Sequence, residues 1–164
     1  MKLYPSVVQH IAHNSYADPE RLCMADSRSA FSYGEVWSRI YGLSQRLQEL
    51  GVTRERCVAV ECSQNAGYMI CEFAIQLLGG VFVPIEKNAA AGRLAEILGD
   101  TQAVLYIGKD AAKLSAALNV MQTSGKPSQH STSPVFMDIS QAADFAYAPE
   151  DIPPLGEISF PETQ

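Results

Sequence analysis

The sequence predicts an α/β fold, a mostly parallel and doubly wound sheet flanked by helices, with a small N-terminal helix and hairpin in front of it. Two patterns along the chain and its composition predict this. From residue 58 to residue 138, short apolar runs alternate with helix-length stretches. Each helical stretch stands between two such runs, so successive strands are joined by crossovers and lie parallel, with right-handed connections and helices sheltering both faces. The 164 residues are 47% hydrophobic and 18% charged, with 11 Gly and 9 Pro, which is the balance of a folded globular domain with a real core.

The elements follow in order. Over residues 4–16, Val7, Val8, Ile11 and Ala12 fall at helical spacing, and Asp18-Pro19 ends the helix. Residues 21–25 and 31–33 are short extended pieces around the polar turn Asp26-Ser27-Arg28-Ser29, a hairpin pattern. Ser32-Tyr33-Gly34-Glu35 fits a capping box, in which Ser32 accepts from an amide near the helix start and Glu35 accepts from the Ser32 amide. Val36, Ile40, Leu43, Leu47 and Leu50 then keep one apolar face, and Gly51 supplies the left-handed residue that ends many helices. Strands are predicted at 58–61, 81–85, 103–107 and 135–138, and helices at 65–78, 91–98 and 111–121. Gly79-Gly80 fits a tight helix-to-strand turn.

Residues 123–133, rich in Ser, Thr, Gly and Pro, are predicted as an exposed loop and the place where disorder is expected. From residue 145 onward Pro149, Pro153, Pro154 and Pro161 break every periodicity, so this part is expected to run extended over the surface. The predicted division is an α/β unit over 1–144 and a Pro-rich connector over 145–164. Connectors join things, so a continuation is expected.

Charge and motifs exclude several functions. With a net charge of −6, a pI near 5.0 and no clustered Lys/Arg footprint, no nucleic-acid partner is expected. No apolar run of about 18 residues occurs and Met1-Lys2-Leu3-Tyr4-Pro5 leads straight into polar residues, so no membrane span and a cytoplasmic location are expected. Cys23, Cys57, Cys62 and Cys71 lack Cys-x-x-Cys spacing and are read as buried free thiols. His10 and His13 stand one turn apart without a carboxylate or thiol converging on them, His130 lies alone, and no metal site is expected. No G-x-G-x-x-G, Walker loop, G-x-S-x-G or H-E-x-x-H occurs. Thr123-Ser124-Gly125-Lys126-Pro127 only echoes a phosphate cradle, since it follows a helix and lacks a second glycine. No catalytic residue is assigned.

Three stretches nevertheless resemble one family. Phe31-Ser32-Tyr33-Gly34-Glu35-Val36, with its helix closing in Leu47-Gln48-Glu49-Leu50-Gly51-Val52, resembles the first signature of the adenylate-forming (AMP-forming) superfamily of acyl-CoA synthetases and AMP-dependent ligases. Gln76-Leu77-Leu78-Gly79-Gly80-Val81-Phe82-Val83-Pro84-Ile85 resembles the second, where a helix ends in small residues and enters a strand. Arg93-Leu94 with Ile97-Leu98-Gly99-Asp100-Thr101-Gln102-Ala103 is similar to the helix and strand that come next. The likeness covers residues 5–107 well and the remainder loosely.

The resemblance implies an enzyme that activates a carboxylic acid with ATP and Mg²⁺ as an acyl-adenylate and passes it to a thiol, CoA or phosphopantetheine. The family's Ser/Thr/Gly-rich ATP loop would be expected soon after the connector, so the ATP loop and the C-terminal domain are expected to lie beyond this chain. The rest of the ligase is its implied partner. Alone the chain is expected to bind none of these cofactors and to be inactive. Between Ile85 and Arg93 the chain has Glu86-Lys87-Asn88-Ala89-Ala90-Ala91-Gly92 without the proline common there. A basic residue near this point contacts the CoA nucleotide in some relatives, which makes Lys87 the local candidate for a CoA phosphate, the alternative being a solvated surface lysine. A standalone, non-catalytic binding or interaction module of the same fold is the competing reading. A truncated α/β unit would expose apolar surface that the missing part covers, so self-association through that surface is expected.

Overall fold

The computed structural model describes residues 6–123, 133–143 and 145–161. The expectations for Met1 to Pro5, for His130 and for most of the 123–133 loop, with its Gly125-Lys126 echo, fall outside those residues.

Helix α1 (Val7–Ala17) is capped by Ser6, whose hydroxyl accepts from the Gln9 amide. Strands β1 (Leu22–Ala25) and β2 (Ala30–Ser32) form the antiparallel hairpin. The capping box opens α2 (Tyr33–Glu49): the Ser32 amide donates to Glu35 Oε2 at 2.8 Å and the Glu35 amide donates to Ser32 Oγ at 3.3 Å. There follow β3 (Cys57–Glu61), α3 (Ala66–Leu77), β4 (Val81–Ile85), α4 (Ala91–Thr101), β5 (Leu105–Gly108), α5 (Ala111–Thr123) and β6 (Val135–Asp138). The strands lie in the order β4-β3-β5-β6, every neighbouring pair parallel. The fold is therefore α/β with a parallel sheet flanked by helices, as the alternating pattern predicts.

Strand alternation divides the core into two layers. Val58, Val60, Leu105 and Ile107 face Val8, Ile11, Val36, Ile40, Leu43, Leu47, Ile70 and Ile75 from α1, α2 and α3. Ala59 and Tyr106 face the other way, onto Leu94, Leu98, Leu114 and Ala117 from α4 and α5. The chain steps from β3 outward to β4, then returns past β3 to β5. With right-handed crossovers that reversal transfers the connecting helix to the opposite face, which is why α3 and α4 cover different sides. Gly79, at φ +70°, turns the end of α3 into β4, and a Cβ on Gly80 would stand 3.0 Å from Ile75 Cγ2.

The hairpin turn is tied to the sheet by one carboxylate. Asp26 accepts from the amides of Arg28 and Ser29 at 2.8 Å and from the amide of Ala66, the first residue of α3, at 3.0 Å. These amides, that of Ala66 foremost, hold its carboxyl below the ordinary carboxylate range. A depressed acid stabilises the fold above its unfolded-state value, and the contribution is lost as pH falls through the folded-state value. Asp26→Asn is accordingly expected to lower stability at pH 7 and to close on the wild type as the medium is acidified, measured by urea unfolding at pH 7 and pH 3.

Residues 145–161 run over the surface along the helical layer, none of them fully buried, and contain two single 3-10 turns, Pro149–Asp151 and Leu155–Glu157. Proline at the first position of the former has the φ that such a turn requires. Apolar residues interleave with the prolines, and Phe145, Ile152, Leu155, Ile158 and Phe160 pack on the larger core layer. Polar bonds add to this: Ser38 Oγ donates to the Tyr147 carbonyl and Tyr16 Oη donates to the Pro153 carbonyl at 2.6 Å.

Candidate functional site

In a doubly wound sheet the crevice outside the carboxyl ends of the strands, where the strand order reverses, is where ligands collect. Here that point lies between β3 and β5. Three loops meet around it: residues 62–65 after β3, 86–90 after β4, and 109–110 after β5.

Glu61, the last residue of β3, is 6% exposed and is the one charged side chain in the core among the described residues. Its position follows from the pleat: counting from Val58 and Val60 on one face and Ala59 on the other, Glu61 falls on the α4/α5 side with Tyr106. A buried carboxylate needs partners to offset its lost hydration. Tyr106 Oη donates to Glu61 Oε2 at 2.8 Å, and Lys113 Nζ from α5 stands 3.1 Å from the same oxygen. Burial first, and the Glu61 carboxylate second, push the Tyr106 phenol well above its ordinary value, so it stays protonated and donating. Gly108 makes room for the ring, because a Cβ there would meet Tyr106 Cζ at 2.7 Å.

Lys113 makes a second bond across the crevice, donating to the Lys87 carbonyl at 2.9 Å. Lys87 is exposed in the turn between β4 and α4, a turn closed by the Ala89 amide donating to the Glu86 carbonyl at 2.9 Å. The structure thus joins the backbone of Lys87 to Glu61, Tyr106 and Lys113, three residues that sequence reasoning does not single out. Lys109 and Asp110 are exposed on the neighbouring loop, where Asp110 Oδ1 accepts from the Ala112 amide at the start of α5.

Beside the network the Cys62 thiol and Tyr68 hydroxyl are 3.4 Å apart. Cys71 is buried among α3 contacts, and burial pushes its thiol up to about 12, which makes it an inert core residue. All four cysteines are free. Among the described residues no group of three or more His, Cys, Asp or Glu is placed to hold a metal ion. His10 pairs with Asn14 at 3.1 Å and meets the edge of Tyr33.

The carboxylate at this edge is spoken for, and so is the lysine nearest it. Both donors to Glu61 converge on Oε2, and Lys113 is its ion-pair partner. Lys87 and Lys109 are the exposed ammonium groups on the loops at this edge.

Comparison with known proteins places the chain among relatives. A family model described as AMP-binding enzyme matches residues 11–155. The mitochondrial malonate–CoA ligase of Homo sapiens is 30% identical over 93 residues, 54% of this chain and 16% of that protein. Glycine betaine reductase of Emericella nidulans is 28% identical over 113 residues, 68% of this chain and 9% of that one. Among solved structures, VinN in complex with L-aspartate superposes with a TM-score of 0.68 at 20% identity, covering 87% of this chain and 37% of VinN. The N-terminal subdomain of NpsA from Klebsiella oxytoca, with anthranilyl-AMSN, gives a TM-score of 0.63 at 17% identity, covering 88% and 34%. At such identities the likeness establishes the fold. This chain spans a sixth or less of these two curated relatives and just over a third of these solved chains.

Proposed function

The chain belongs to the AMP-binding enzyme family, and from that premise we propose that it is the front α/β part of an AMP-forming ligase that activates a carboxylic acid as acyl-adenylate and passes it to a thiol of CoA or phosphopantetheine. The match across residues 11–155 carries the reading. Its division of labour is that of a scaffold: residues 11–155 build one side of the ligase, and the residues that handle ATP are supplied by the rest of it. Mg²⁺, where bound in the whole ligase, neutralises phosphate charge. This chain's own described residues are not placed to hold it.

In that setting Lys87 is the proposed contact to a CoA phosphate. Its ammonium is a compact, mobile point charge able to meet a phosphate from several directions, and its backbone is fixed by the Lys113 bond. The proposed partner is the remainder of the ligase. Self-association is proposed for the chain by itself, through edge residues such as Val81 and Val135, each 44% exposed on the outer strands. No helix among the described residues is long and apolar enough to cross a membrane.

The test is direct. With Mg²⁺, ATP and a panel of carboxylic acids, this chain by itself is expected to release neither AMP nor pyrophosphate.

A further inference from the structure

We propose that Lys113 is a positioning residue: held by buried Glu61, it fixes the turn of residues 86–90 through the Lys87 carbonyl and so sets where the Lys87 ammonium stands. The inference rests on the reading of Lys87 as an anion contact, and adds to it the residues that place the contact.

Lys113 comes from α5, 52 positions after Glu61 and 26 after Lys87, so its two bonds connect β3, α5 and the β4–α4 turn. A free lysine samples many rotamers, and holding one in a single position costs much of that entropy. Here the ordering is set by need. The Glu61 side chain is 7% exposed and requires a positive partner, while the Lys113 side chain is 16% exposed and has left most of its water behind. Tyr106, itself fully buried, donates to the same carboxylate oxygen. One Lys113 proton goes to Glu61 and a second is directed to the Lys87 carbonyl.

The turn has few other anchors. Ala89, 9% exposed, sits against the α4/α5 layer, and the Ala89 amide closes the turn on Glu86. Lys87 and Asn88 at its tip are exposed. The Lys113 bond is the tip's tie to the core. A methionine in place of Lys113 keeps the aliphatic stem and removes the tie; an arginine retains both charge and donors.

The experiment measures amide hydrogen exchange at Ala89 as the ratio of its observed rate to the rate of an unstructured chain, with the slower core amide of Val60 in the same molecule showing that the opening at Ala89 is local. Binding of adenosine 3′,5′-bisphosphate is followed by NMR titration of the same samples. In Lys113→Met this Ala89 ratio is expected to rise about tenfold, as the loss of one anchoring hydrogen bond allows. Lys113→Arg is expected to restore the wild-type ratio, which a loss of mere packing would not do. The bisphosphate serves as a phosphate probe and not as the whole cofactor: weak binding to the wild type is expected, and binding weaker still, by similar factors, to Lys113→Met and Lys87→Met. If Lys113→Met does not fold, Glu61→Gln/Lys113→Met removes the unpaired charge and is expected to show the same tenfold change. An unchanged Ala89 ratio in whichever variant folds overturns the proposal, whatever the titration shows. Faster exchange with no bisphosphate binding by the wild type upholds the positioning role and rejects Lys87 as the anion contact. Binding lost in Lys87→Met, with exchange and binding unchanged in Lys113→Met, does the reverse.

Discussion

Gly42→Val is expected to lower the melting temperature by roughly 6–12 °C and to detach residues 145–161 from the helical layer. Gly42 lies in the middle of α2, where glycine costs about 1 kcal/mol relative to alanine, so something else must require it. The requirement is a close approach of backbone. A Cβ at position 42 would overlap the carbonyl oxygen of Phe145, and the Tyr147 ring stands 3.0 Å away on the same side. A carbonyl cannot rotate aside as a side-chain tip can, so the whole segment must lift. Lifting exposes Phe145 and the ring of Tyr147, which packs edge-on to Tyr41 at 5.6 Å, and breaks the bond from Ser38. Overpacking of this kind costs about 3 kcal/mol, and for a chain of this size each kcal/mol moves the melting point by roughly 2–4 °C. The single tryptophan reports the event: Trp37 is 2% exposed and stacks on Phe160 at 6.3 Å, so its emission should shift to the red and become open to iodide. Gly92→Ala is the control, since nothing lies within 4 Å of a Cβ there, and it should stay within about 1 kcal/mol of the wild type.

The second large effect is at the carboxyl edge of the sheet. Lys113→Met is expected to cost about 3 kcal/mol, because it leaves the buried Glu61 carboxylate without its cation. Glu61→Gln/Lys113→Met should recover more than half of that loss, since the side-chain amide that replaces the carboxylate still accepts from Tyr106 while the uncompensated charge is gone. Urea unfolding of the wild type, both single variants and the pair gives the coupling energy. Additive losses would show that Glu61 and Lys113 act separately and that the ion pair contributes no coupling.

These two regions are also where the sequence is least legible. Local signals place α1 to α5 and β1 to β6, since the apolar run of Val58 to Val60 and the apolar face from Val36 to Leu47 are read within the element, and Ser32 with Glu35 marks the start of α2 in four residues. The Glu61 network is not local. It depends on the register that sets Val58 beside Leu105 and Val60 beside Ile107, fixed by packing between strands more than 40 residues apart. A glutamate closing an apolar run, and a tyrosine inside another, are the only visible hints. The 145–161 segment is hard to read for a different reason: proline density removes periodicity, and contacts made one residue at a time, by Phe145, Ile152 and Phe160, leave no period to find. Lys87 enters through family resemblance, and the structure supplies its backbone anchor.

Whether this chain is the non-catalytic front of a ligase is decided by its products. The folded chain, verified by circular dichroism, is incubated with Mg²⁺, ATP and a panel of aliphatic, aromatic and amino carboxylic acids, with AMP and pyrophosphate quantified beside a complete acyl-CoA synthetase as positive control. No product above the enzyme-free background is the expected result. Sustained, carboxylate-dependent release of AMP and pyrophosphate in equal amounts would contradict it, because the residues handling ATP would then have to lie within these 164 residues.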